Sequence, residues 1–151
     1  MHSRQLTSDS QPTHVLVGEP GEDALKIITQ FAVEHGITAA QVTAVGAFAR
    51  ATVGWFDRQA KDYRRLHIDE QVEVLSLVGD IADEDDEPVA HLHAVLGRFD
   101  GTLRGGHLLE GDIWPTLEVI VNESHDKLRK TSHPDLGLAL IDLDRSSFGT
   151  G

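Results

Sequence analysis

Three histidines, His91, His93 and His107, fall in one glycine-rich stretch, and their type and spacing are the feature of this chain most suited to chemistry. His91 and His93 are two residues apart, so on an extended strand both imidazoles leave the same face, about 7 Å apart along it. Whether His107 joins them depends on the turn between. A two-residue loop at Asp100-Gly101 would set Leu108 opposite His93 and turn His107 to the other face. A three-residue loop, Phe99-Asp100-Gly101, with a left-handed Gly101, would set His107 opposite His93 instead. A bulge at Gly105-Gly106 is a second route to the same face. Glycine at the third loop position favours the longer loop, and convergence of the three imidazoles is expected.

Convergent imidazoles suit a borderline-soft divalent cation, and three histidines with a fourth position left for water are an arrangement of catalytic zinc. Zinc or a similar divalent metal is the expected cofactor, and a hydrolase or lyase acting on a small anionic or carbonyl substrate the corresponding activity. Against this, His91 and His93 could be polar positions on a half-solvated strand. Two carboxylates, Glu110 and Glu118, come into question for acid/base work. On a regular strand Glu110 faces away from His107, which leaves Glu118 as the candidate, although a plain strand-edge role suits either residue better. His35, His67, His125 and His133 read as ordinary surface residues.

The elements that must position these groups can be followed along the chain. Residues 1–12 are polar and unpatterned and read as a disordered lead-in, 13–144 as one domain, and 145–151 as a flexible Ser/Gly tail. His14 to Val17 reads as a strand. From Glu22 to His35, Leu25, Ile28, Phe31 and Ala32 recur at helical spacing, with Glu22 and Asp23 in the first turn and Gly36 as a stop. Thr38-Ala39-Ala40-Gln41 has the form of a capping box and predicts a short helical turn. Val42–Asp57 is β-rich, 58–65 is a charged connector, and Val72–Ala82 is a long strand with a bend expected at Gly79. The acidic run Asp83-Glu84-Asp85-Asp86-Glu87-Pro88 lacks the spacing of a calcium loop and fits a solvated hairpin turn. Strands follow at Thr116–Val121 and 137–143. One helix and about seven strands without a repeated βαβ unit predict an α+β fold with a largely antiparallel, curled sheet.

Composition narrows the function. With 151 residues and 40% hydrophobic content the chain fits one domain with a substantial core. The absence of cysteine removes disulfides, thiolate metal sites and cysteine nucleophiles. No signal-type or membrane-spanning apolar run is present, so a cytoplasmic protein without membrane contact is expected. The formal net charge of -12 repels phosphate backbones, and the basic clusters are thin: Arg64-Arg65, and Lys127 with Arg129-Lys130, both read as solvated loop charge.

Several blocks together resemble the plants and prokaryotes conserved (PPC) domain, which occurs alone in bacteria and archaea and fused to AT-hook peptides in plant nuclear proteins. They are Pro20-Gly21-Glu22-Asp23; Ala44-Val45-Gly46-Ala47; Gly54-Trp55-Phe56-Asp57 with Tyr63; and Glu73 through Ile81. The most specific is His91-Leu92-His93 followed by Gly105-Gly106-His107-Leu108-Leu109-Glu110-Gly111, and Pro115 through Val119 completes the set. The resemblance implies a compact α+β domain that assembles as a homotrimer. It also implies a metal-binding role for His91, His93 and His107, which match the family's histidines. A free-standing member without the Arg-Gly-Arg-Pro hook is what the sequence describes, so the family's DNA-binding label does not carry over with the hook. A partner subunit is also suggested by the chain itself, because a single helix can cover one face of the sheet and leaves the apolar positions of the other exposed.

Overall fold

Alternation of apolar and polar residues along long strands builds this molecule, and the computed structural model describes residues 1–5 and 11–148. The strands are β1 (His2–Gln5), β2 (Thr13–Gly18), β3 (Ala39–Asp57), β4 (Asp62–Ile68), β5 (Val72–Glu84), β6 (Glu87–Gly97), β7 (Leu103–Glu123), β8 (Lys130–His133) and β9 (Leu138–Ile141). The one helix, α1, spans Ala24–His35. Seven strands form one sheet in the order β1-β2-β7-β6-β5-β3-β4, every pairing antiparallel, and β8-β9 make a separate two-stranded ribbon. A further pairing of β7 with β3 closes β3, β5, β6 and β7 into a ring, so the α+β, curled-sheet expectation holds.

One face of this sheet carries the core. Leu16, Val42, Ala44, Leu77, Leu92, Ala94 and Val119 are buried and pack with Ile27, Ile28, Phe31 and Ala32 of α1. The helix starts one residue beyond Asp23, which is its N-cap: one carboxylate oxygen accepts from Lys26 N at 2.9 Å, the other from Gly111 N at 2.9 Å, tying the helix end to β7. Glu22 and Asp23 therefore precede the first turn instead of lying in it.

Several local expectations give way to strand pairing. The turn predicted at Thr38–Gln41 is absent, because Ala39 and Ala40 already pair with Ala82 and Ile81 of β5; cross-strand bonds on both edges outweigh a local cap. The charged connector ends early, and Arg64 and Arg65 lie within β4. In β5 the irregularity falls between Val74 and Ser76, not at Gly79. Gly79 serves close approach: a Cβ there would lie 1.9 Å from the carbonyl oxygen of His91. The acidic run is the expected hairpin turn, with Asp85 and Asp86 at φ 53° and 67°.

The ends are more ordered than expected over the residues described. His2–Gln5 pairs with β2, while 6–10 of the expected lead-in lie outside the described residues. Within the expected tail, Ser147 exchanges backbone hydrogen bonds with Lys127 at 2.8 and 2.9 Å. Among the described residues no helix is long and apolar enough to cross a membrane.

Candidate metal centre

The β6–β7 turn decides the site. Arg98 N donates to Thr102 O at 2.9 Å, Gly101 N donates to Arg98 O at 2.9 Å, and Gly101 takes φ 78°. Asp100 Oδ1 braces the loop by accepting from Thr102 N at 3.0 Å and Thr102 Oγ1 at 2.6 Å. This is the three-residue loop, and it pairs His93 with His107. Because Leu92, Ala94 and Leu96 fill the core, His91 and His93 necessarily point from the opposite face, and His107 shares it.

The three rings converge, with centroids 5.0 to 5.5 Å apart. One donor atom from each lies within 4.8 Å of the others, which makes this the one metal-competent group of three found among the described residues. His91 Nε2 and His93 Nε2 are 3.2 Å apart. Two nitrogens bound to one tetrahedral zinc at about 2.0–2.1 Å would stand roughly 3.3 Å apart. Without a cation, the same spacing fits one N–H donating to the other nitrogen. His107 Nδ1 is buried with no hydrogen-bond partner, a costly state for a polar atom unless something else engages it. Tyr63 stacks on His107 with centroids 4.5 Å apart and planes at 18°.

Electrostatics favour neutral His107 and His93, which are therefore able to donate lone pairs. His107 is pushed down to about 4, first by burial and then by His91, His93 and Lys130. His93 is lowered by burial and by His91, against the pull of Asp80. On the far side of His91, Nδ1 lies 3.6 Å from Asp80 Oδ2. Asp80 Oδ1 faces Lys130 Nζ at 3.4 Å, an ion pair just short of hydrogen-bond geometry. Burial raises the Asp80 carboxyl, but His91 and Lys130 outweigh it and hold it below the usual carboxylate range.

The carboxylates fall elsewhere. Glu110 does not face away from His107: a bulge pairs Thr52 with Glu110 and Gly54 with His107, and Thr52 and Gly54 share a face. Glu110 Oε2 accepts from Thr52 Oγ1 at 3.3 Å beside a groove of about 670 Å³ that also takes in His67 and Asp69. Glu118 sits between Val17 and Val45. It is three strand spacings from β6, about 14 Å, and so is not brought to the imidazoles. Sequence reasoning missed Asp80 and Lys130. Asp80 carried a signal, a carboxylate between the apolar residues of a long strand; Lys130, read as solvated loop charge, is instead 5% exposed at its side chain.

Comparison with known proteins agrees with this architecture. A Pyrococcus horikoshii plant- and prokaryote-conserved (PPC) protein is 27% identical, with 93% of this chain and 94% of that chain covered and a TM-score of 0.82. A metal-containing protein from Archaeoglobus fulgidus is 33% identical over 85% of this chain and 91% of that one, TM-score 0.79. A candidate DNA-binding protein from Bacteroides thetaiotaomicron is 26% identical over 95% and 99%, TM-score 0.85. No curated protein matches the chain. The Plants and Prokaryotes Conserved (PCC) domain matches residues 5–125, four-fifths of the sequence and the whole histidine hairpin, and the chain belongs to that family.

Proposed function

We propose that this chain is a metal-binding protein in which His91, His93 and His107 hold one zinc-like divalent cation per chain. The observation that carries the reading is the convergence of three imidazoles, each with a ligand nitrogen within 4.8 Å of the others and two of them, on His91 and His93, spaced like ligands of one ion; the unpartnered Nδ1 of His107 adds to it. Similarity to the metal-containing Archaeoglobus protein supports it. Such an ion supplies a Lewis acid with a position left for a small-molecule oxygen. The protein's own part is to hold the imidazoles oriented and to keep His93 and His107 neutral. Elemental analysis of purified protein tests the reading: about one ion per chain is expected, and a His107→Ala variant should lose it.

A homotrimer belongs to the same proposal. On the face opposite the core, Val17, Val45, Val78 and Val95 are 36%, 54%, 48% and 41% exposed. Register sets Val78 beside His93, so this uncovered apolar surface runs up to the histidines. A second and third copy would bury it.

Similarity to a candidate DNA-binding protein favours a second reading, a DNA-associated module. Charge opposes it. The net charge is -12, and three residues of the basic clusters are paired within the chain: Arg64 with Asp57, Arg129 with Asp83 and Asp86, Lys130 with Asp80. No retardation of plain duplex at physiological salt is expected, and nanomolar binding in a shift assay would favour the DNA reading.

A further inference from the structure

We infer that Lys130 and Asp80 are positioning residues for the metal centre, and that the segment after residue 123 acts as an arm that clamps His91 from behind. The inference rests on the three-histidine reading for its consequence but on separate observations for its geometry.

The arm is fastened at the end of β5. Asp83 N donates to Leu128 O at 2.8 Å, Leu128 N donates to Thr38 O at 3.2 Å, and Arg129 pairs with Asp83 and Asp86 at 3.6 and 3.2 Å. It is also tied to itself: Asp142 N donates to Arg129 O at 2.8 Å, and Thr131 Oγ1 donates to Asp142 Oδ2 at 2.9 Å. These bonds fix the backbone on both sides of Lys130. The result is a buried ammonium held against one oxygen of Asp80 while the other oxygen faces His91 Nδ1.

A carboxylate facing one ring nitrogen, here at an ion-pair distance of 3.6 Å, favours the tautomer with the hydrogen on that nitrogen and leaves the other nitrogen's lone pair for a metal. Here that other nitrogen is Nε2, the atom that faces His93. A half-buried carboxylate is held in place by a fixed counter-charge, and Lys130 is the cation in reach of Asp80. Residue 130 lies beyond the family match, which ends at residue 125.

Two measurements test this independently of each other. Nitrogen-15 NMR on the metal-free wild-type chain reads the tautomer directly: His91 should carry its hydrogen on Nδ1, and an Nε2–H tautomer would overturn the inference even if zinc binds. Zinc titration of Lys130→Met and Asp80→Asn should show affinities lower by about tenfold or more, the range for such outer partners. Because Lys130 acts through Asp80, the double variant should be no weaker than Asp80→Asn alone. Additive losses, or a Lys130→Met chain with unchanged affinity, would overturn it. Failure of the wild type to bind zinc would refute the metal reading and leave the tautomer result to judge the clamp.

Discussion

The two faces of one sheet have different fates. Along β6, Ala90, Leu92, Ala94 and Leu96 are buried beneath the helix-covered side, while His91, His93 and Val95 alternate with them on the side no helix covers. The first set is all aliphatic. The second joins two imidazoles to a valine that remains in the open. A strand's period of two lets neighbouring residues serve separate purposes: one face supplies cohesion, and the other is left free for the proposed metal site and assembly surface.

The sharpest way to break this comparison uses two adjacent residues. Leu92→Ala should cost about 2–5 kcal/mol of stability by opening a cavity in the core, yet the folded fraction should keep its metal. His93→Ala should do the reverse, losing the metal with little change in the metal-free unfolding free energy. Denaturant unfolding combined with metal content measures both, and equal stability losses would show that the faces are not separable.

Assembly comes next. Val78→Glu with Val95→Glu places charge in the exposed apolar strip, and light scattering should then report one chain of 16.5 kDa where the wild type gives about three. A wild-type mass near one chain would remove the trimer from the account.

A smaller effect concerns pH. In the metal-free protein His107 ionises at about 4 against an ordinary 6.5. Between these values the unfolded chain binds the extra proton, so its contribution is full above about pH 6.5 and is lost as pH falls through about 4. Allowing for partial solvent access, the loss is about 1–2 kcal/mol. Thermal unfolding from pH 7 to 4 should show it, and His107→Ala should remove that part of the slope.

How much of this was legible in the sequence depended on the range of the interaction. The helix, the long strands and the histidine loop could be read because each is written in local periodicity or turn chemistry, Gly101 above all. Gly79 was misread as a bend because its function, close approach to the His91 carbonyl, is set by a neighbouring strand. Glu110 was placed on the wrong face because one bulge residue inverts the alternation. Lys130 was out of reach for the same reason: nothing near it in sequence announces that a fastened arm will bury it against Asp80.

The central claim is that three imidazoles on the uncovered face form one metal site. Anomalous diffraction from crystals of the purified chain, collected at the zinc edge, tests it most directly. The account expects a single strong peak per chain between His91, His93 and His107, with Asp80 behind His91. A crystal structure with no peak there after zinc soaking, or with His107 on the opposite sheet face from His93, would contradict it.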